Sequence, residues 1–197
     1  MTQPPAGPEQ IVTHFDTLHV DEDPWSVRSS WYERRKAAVL LSSLPQQHYR
    51  LAWEPGCSVG GLTSLLAERC DRVIAGDPSP RALAIARRAL APLANVLLRE
   101  ELVPRDKPSI VPGAADLVVL GEFLYYLPVH EVPAVLDIAA RVQPSGGHLV
   151  VVHWRPQPED GYQSGVQANA QVAADARWLP LVHHDDEHFV LDIGRRR

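Results

Sequence analysis

The chain is expected to form an α/β fold: a mostly parallel seven-stranded sheet, helices on both faces, and an antiparallel hairpin at the C-terminal end. Three observations predict it. Strand-like and helix-like segments alternate five times between Leu51 and Arg177, the pattern of a parallel sheet wrapped by crossover helices. The first strand runs into a glycine turn, Glu54-Pro-Gly-Cys-Ser-Val-Gly-Gly61, which opens a helix. The last two strands, Leu179–His184 and Phe189–Gly194, are joined through Asp185-Asp186-Glu187, a connection short enough for a hairpin.

Met1 to Gln10 is rich in Pro, Gln and Gly and lacks an apolar stretch, so residues 1–10 are expected to be a disordered lead-in. Residues 11–25 read as irregular. Ser26 or Ser30 can cap a helix in which Trp31, Arg35, Ala38, Val39 and Leu41 recur at helical spacing, to about Ser43. Pro45 stops it. Residues 11–45 therefore form an expected N-terminal lid, and 46–197 the main domain. Leu51–Glu54 is a short strand, Leu62–Cys70 a helix and Arg72–Asp77 an apolar strand. Pro78-Ser79 opens a helix to about Leu90, Asn95–Arg99 is a strand, and a proline-rich loop spans Pro104 to Gly113. Asp116–Leu120 and His148–His153 are apolar runs of strands buried on both faces. The helix Glu131–Val142 and the turn Pro144–Gly147 lie between them. Gly165–Arg177 is a weak helix.

Composition narrows the function. At 197 residues the chain can bury roughly 70% of its unfolded surface without disulfides or metals. Cys57 and Cys70 are too few for a disulfide framework and lack metal-ligand spacing; both read as reduced buried thiols, which agrees with a cytoplasmic location. No apolar run is long enough to span a membrane, and the N-terminus has no signal-peptide pattern. The formal net charge is −5 and, apart from Arg195-Arg196-Arg197, no basic block occurs. A nucleic-acid partner requires a basic footprint, so the expected partner is a small molecule. The composition is compatible with a monomer or a homodimer.

The glycine turn carries the chemistry. Gly56, Ser58 and Gly61 approach the dinucleotide pattern, a tight turn that lets backbone N–H groups reach a ligand. Glu54, two residues before the first glycine, changes the reading. Its carboxylate would repel a pyrophosphate and suits a cationic ligand such as S-adenosyl-L-methionine, which carries a sulfonium, an ammonium and no phosphate. Asp77 ends the next strand, 21 residues after Gly56. One carboxylate there can accept from both hydroxyls of a ribose, or it can cap the helix that begins at Pro78.

With these pieces the chain resembles class I S-adenosylmethionine-dependent methyltransferases, which have a Rossmann-like fold. The likeness rests on Glu54–Gly60, Val73-Ile-Ala-Gly-Asp77, Ala115–Glu122 and Val142–Val150, in the family's order and spacing. It covers residues 51–155, and the hairpin extends it to the C-terminus. Within that family it resembles the nodulation-protein-S type, which methylates the amine of a chitooligosaccharide precursor. That narrower likeness rests on His14-Phe15-Asp16, Asp23-Pro24-Trp25, Ser30–Lys36, Glu54–Ser58, Tyr125-Tyr126-Leu127 and His153-Trp154-Arg155.

The resemblance implies that Gly56, Cys57, Ser58 and Gly60 cradle the amino-acid half of the co-substrate. It implies that Asp77 holds the ribose, that Pro78 lies beside the adenine, and that Glu101 or Leu102 lies near the adenine amine. The family often has an acid preceded by glycine at that last position; Glu100-Glu101-Leu102 departs from it. Gly121 and Glu122 would sit under the methyl group. Trp25 and Tyr32 are expected either to touch the co-substrate from the lid or to pack, Trp31 is expected to pack, and Arg35 either pairs with the methionine carboxylate or is solvated.

Methyl transfer is an in-line displacement that needs alignment, exclusion of water and, for an alcohol or a protonated amine, a base. Glu122, His153 and Tyr125 are the candidates at strand ends; each also has a structural reading, as a loop-backbone bond or a satisfied core group. His183, His184 and His188 flank two acids but offer no closed ligand set, so no metal is expected. The expected activity is methylation of a small-molecule acceptor, an amine and in the narrower resemblance an amino sugar. An O-methyltransferase, a nicotinamide-dependent oxidoreductase on a Rossmann sheet and a non-catalytic binder stay open as alternatives.

Overall fold

The computed structural model describes residues 4–5 and 7–197. The chain divides into two compact units, one of residues 5–102 and the other of residues 103–197 with Pro4. The first carries helices α1 (Pro8–Leu18), α2 (Trp31–Ser43), α3 (Gly61–Ala67) and α4 (Pro80–Ala89), and strands β1 (Tyr49–Pro55), β2 (Cys70–Asp77) and β3 (Val96–Glu100). The second carries β4 (Leu117–Gly121), α5 (Val132–Val142), β5 (His148–Trp154), α6 (Gly165–Ala173), β6 (Trp178–Asp185) and β7 (Phe189–Arg196). The strands form one seven-stranded sheet in the order β3-β2-β1-β4-β5-β7-β6, so the expected architecture is observed.

In the first unit β1 and β3 flank β2, both parallel to it, with Glu54 opposite Ala75 and Asp77 opposite Glu100. The strands are short and apolar, and the helices have explicit start signals. The Ser30 and Ser79 hydroxyls accept the N–H groups of Glu33 and Ala82 at 3.0 and 3.1 Å, capping α2 and α4. The helix α3 starts instead on Gly60, whose φ of +83° is left-handed. A Cβ there would also meet Leu90 Cδ1 at 2.7 Å, so both conformation and space select glycine.

Two expectations in this unit fail. Residues 11–25 are not irregular throughout: α1 occupies Pro8–Leu18. The part of the lead-in at residues 1–3 and 6 lies outside the described residues. Only Ile11 of α1 is buried, and the helix is anchored by polar contacts. Asp16 accepts the Ser79 hydroxyl at 3.0 Å and the Arg81 N–H at 2.9 Å, at the positive end of α4. Hydrogen bonding from the Arg81 N–H chiefly holds the Asp16 carboxyl below its ordinary range. The helix α3 ends at Ala67, and Cys70 begins β2. Asn95 enforces that break by donating to the carbonyls of Ala67 and Cys70 at 2.9 and 3.0 Å.

In the second unit β4 pairs with β5 in parallel, and β7 runs antiparallel to both β5 and β6. The continuous apolar runs are buried as expected: Leu117 to Leu120 and His148 to His153. The helix α5 presents Val132, Val135, Leu136, Ala139 and Val142 on its buried stripe. Ser164 and Gln167 form a capping box at the start of α6. A Cβ on Gly165 would lie 1.9 Å from the Trp154 carbonyl oxygen; only a glycine allows α6 to begin against the end of β5.

Candidate functional site

The first unit gathers carboxylates around the glycine turn. Glu54, at the end of β1, is 4% exposed, and its Oε2 has no hydrogen-bond partner. Burial pushes the Glu54 carboxyl up to about 8; the Thr63 hydroxyl works against that shift and the nearby Asp77 adds to it. Asp77, at the end of β2, is also buried. Its two oxygens accept the N–H groups of Ser58 and Ser79, both at 2.9 Å. Burial raises its carboxyl as well, against the pull of those two donors and of His19. Each Asp77 oxygen keeps a further lone pair. Asp77 therefore ties the glycine turn to the start of α4, and its helix-end and ligand-binding readings are compatible.

Glu101, after β3, closes the cluster. Its Oε1 accepts the indole N–H of the fully buried Trp53 at 3.0 Å, and its side chain packs on Gly76, where a Cβ would meet it at 2.3 Å. Glu54, Asp77 and Glu101 all act on the buried Cys57 thiol, which burial and these charges push well above its ordinary value. Cys57 is thus an inert thiol lining the turn.

The turn's own N–H groups are largely used inside the protein. Cys57 donates to the Gly76 carbonyl at 2.8 Å, Gly60 to the Cys57 carbonyl at 3.0 Å, and Ser58 to Asp77. The turn depends on left-handed backbone at Gly56 (φ +76°), Ser58 (φ +49°) and Gly60 (φ +83°). A dinucleotide pyrophosphate would meet carboxylates where it needs free N–H donors. A sulfonium or an ammonium would meet the opposite charge and an unpartnered buried oxygen. The residues present therefore fit S-adenosyl-L-methionine.

His19 supplies a contact that sequence reading missed. The ring is 2% exposed, its Nδ1 lies 2.7 Å from the Phe15 carbonyl, and its Nε2 lies 3.0 Å from the Ser58 hydroxyl. A carbonyl only accepts, so Nδ1 carries the proton. Trp25 meets His19 edge-on at 5.3 Å and stays 39% exposed. On α2, Trp31 is 65% exposed, which corrects the expectation that it packs the helix; Arg35 lies over its ring at 5.7 Å. Lys36, unnoticed as a candidate, is buried, with Nζ 2.8 Å from Glu33 and 4.9 Å from the centre of the Tyr32 ring. Pro78 and Leu102 are half-buried at the ends of the same strands.

The second unit brings Glu122, Tyr125 and His153 together. Gly121 ends β4, and Glu122 follows in the left-handed region (φ +58°), its N–H bonded to the Val152 carbonyl at 2.9 Å. Its Oε2 accepts the Tyr125 hydroxyl at 2.6 Å and the Trp154 N–H at 2.8 Å. Tyr125 sits in a 3-10 turn, Leu124–Tyr126, edge-on to His153 at 5.0 Å. Burial raises the neighbouring Tyr126 hydroxyl above its ordinary value, with Asp160 and Glu122 adding to the shift.

His153 is fully buried and committed on both ring nitrogens. The Leu124 N–H donates to Nε2 at 3.2 Å, so Nδ1 carries the proton and donates to Asn169 Oδ1 at 2.7 Å. The Asn169 amide donates onward to Asp192 at 2.7 Å, whose other oxygen faces His183 Nδ1 at 2.7 Å. With its Nε2 lone pair taken by a backbone N–H, His153 positions the turn rather than offering itself as a base.

His183, His184 and His188 lie on or beside the β6–β7 hairpin. His184 stacks on Phe189 at 5.3 Å, and no group of ligating side chains able to hold a metal occurs among the described residues. No helix among them is long and apolar enough to cross a membrane.

The chain is similar in sequence and fold to known proteins. The family described as Nodulation protein S (NodS) matches residues 8–152. Nodulation protein S of Rhizobium tropici is 33% identical over 66% of this chain and 54% of its own length. That of Sinorhizobium fredii is 32% identical over 71% of this chain and 65% of its own. The chain thus spans between half and two thirds of the length of these relatives. A Pseudomonas syringae protein described as a candidate methyltransferase is 33% identical, with a TM-score of 0.72, over 85% of this chain and 100% of its own. The N-methyltransferase NodS of Bradyrhizobium japonicum, solved with S-adenosyl-L-homocysteine, shares the fold at a TM-score of 0.81 and 21% identity, over 94% of this chain and 98% of its own. The chain belongs to the nodulation protein S family.

Proposed function

We propose that this protein is an S-adenosyl-L-methionine-dependent methyltransferase whose acceptor is the amine of a small molecule, with an amino sugar as the narrower candidate. The observation that carries the reading is the buried Glu54 oxygen without a partner, beside Asp77 and the glycine turn. Family membership supports it, as do the N-methyltransferase activity and bound S-adenosyl-L-homocysteine of the Bradyrhizobium japonicum relative.

Glu54 and the turn from Gly56 to Gly60 hold the amino-acid end, Asp77 the ribose, and Pro78, Glu101 and Leu102 border the base. Trp25, Tyr32 and Arg35 cover that end from the N-terminal segments and exclude water. When bound, S-adenosyl-L-methionine supplies an electrophilic methyl group on a good leaving group. Glu122 orients the acceptor: its carboxylate attracts a protonated amine and takes the proton that an amine must lose before it can attack. Tyr125 and the Trp154 N–H fix that carboxylate in place, and His153 holds the turn that carries Tyr125. The assay is formation of S-adenosyl-L-homocysteine from S-adenosyl-L-methionine with a panel of amines, amino sugars, alcohols and carboxylic acids. Turnover confined to amines supports the reading; turnover with alcohols or carboxylates alone overturns the acceptor class.

A further inference from the structure

The Glu54 cluster combines features that a simple structural role does not explain. One carboxylate oxygen is buried and unpartnered. A second carboxylate, Asp77, sits one strand away, where β1 and β2 pair Glu54 with Ala75 and Pro55 with Gly76. A third, Glu101, packs on Gly76. Two carboxylates as close and as buried as Glu54 and Asp77 resist each carrying a charge, and burial and the nearby Asp77 both oppose ionisation of Glu54.

Resting on the co-substrate reading above, we propose that Glu54 stores a proton in the free protein and releases it to solvent when the ammonium of an amino-acid-bearing ligand enters beside it. Glu54 is the member of the trio to carry the proton because its partners are the poorest. Asp77 accepts two backbone N–H groups, and Glu101 accepts the Trp53 indole. Asp77 from β2 acts on Glu54 directly, and Glu54 shares the Cys57 thiol of the turn with Asp77 and with Glu101 after β3. His19 acts on Asp77 from the end of α1, and α3 contributes only the Thr63 hydroxyl. Burial pushes the Glu54 carboxyl up to about 8, which agrees with a neutral acid in the free protein at pH 7.

The step balances simply. The free protein holds Glu54 as a carboxylic acid, and the ligand arrives as an ammonium. The complex contains a carboxylate beside that ammonium, and the proton passes to the buffer. A neighbouring cation lowers the carboxyl below the working pH, so binding tightens as the pH rises, by up to about tenfold per pH unit below the free-state value. The ligand's α-amino group stays mostly protonated below about pH 7, so the pH dependence is read between about pH 5.5 and 7, where the ligand does not confound the measurement.

The experiment is calorimetric titration of the full chain with S-adenosyl-L-homocysteine at one pH near 7, in buffers of different ionisation enthalpy. Release of about one proton per ligand is expected, with none for 5′-methylthioadenosine, which lacks the amino-acid end. The Glu54→Gln variant is expected to bind S-adenosyl-L-homocysteine with buffer-independent heat. A second readout uses the unaltered protein: the infrared band of a protonated carboxyl disappears on adding the ligand. Binding with no buffer dependence and an unchanged infrared band overturns the proposal, as does proton release that persists in Glu54→Gln. Absence of any binding heat is a different result and overturns the co-substrate reading itself.

Discussion

The glycine turn after β1 and the cluster at the end of β5 both bury polar side chains, and they satisfy them to different degrees. Around the turn, Glu54 keeps an oxygen without a donor and Asp77 holds only one N–H on each oxygen. At the end of β5, His153 has a partner on each nitrogen, and Asn169 extends the chain to Asp192 and His183. A buried polar atom without a partner is expensive, and a protein retains one where a ligand completes it. A saturated network fixes shape instead. On the proposed reading the difference separates a binding centre from a scaffold, and substitutions in each test it.

The largest effect is expected at Glu54. Its folded-state carboxyl lies at about 8, above the ordinary 4.5, so the folded form binds more protons than the unfolded form between those values. Stability therefore falls as the pH rises through that window. Removing the ionisation with Glu54→Gln is expected to stabilise the free protein at pH 8 by on the order of 3–6 kcal/mol relative to its effect at pH 4.5. Urea unfolding across pH 4.5 to 8 checks this, and parallel stability curves for the two proteins would break the comparison. At the saturated cluster the sign reverses. Asn169→Leu strands the His153 Nδ1–H and one Asp192 oxygen and is expected to destabilise by about 3 kcal/mol, read from the same unfolding curves.

Glu122 tests whether the C-terminal cluster also reaches the acceptor. Glu122→Gln keeps an oxygen for Tyr125 and Trp154 but removes the charge. Turnover is expected to fall roughly 10²-fold, with little change in S-adenosyl-L-homocysteine affinity. Normal turnover with lowered stability would make Glu122 scaffold alone. Asp77→Asn is expected to weaken S-adenosyl-L-homocysteine binding by about 2 kcal/mol, the value of hydrogen bonds to a charged group. Unchanged affinity in calorimetry would leave Asp77 as the clasp of the turn only. The smallest effect is expected at the exposed end of the chain of bonds: His183→Ala should change stability by less than about 1 kcal/mol.

Legibility in the sequence followed the range of the interactions. The strands, the glycine turn and Asp77 at its strand end could be read because periodicity and turn chemistry are local. So could the antiparallel hairpin, although not that β7 inserts between β5 and β6. The helix α1 was missed because its fixing contacts are remote: Asp16 to Ser79 and Arg81, and His19 to Ser58. Nothing near Trp31 in sequence marks it as solvent-facing. His153 read equally well as a base or as a core residue, because its partners come from Leu124 and Asn169. The Glu101 carboxylate turns to Trp53, 48 residues earlier, a pairing that no local pattern encodes.

The most direct test of the central claim is a pair of calorimetric titrations, one with S-adenosyl-L-homocysteine and one with NAD. A buried cluster of carboxylates with its turn N–H groups already engaged predicts binding of the first with a dissociation constant in the micromolar range or tighter, about −8 kcal/mol, and no heat from the second. Binding of NAD with no response to S-adenosyl-L-homocysteine would contradict it.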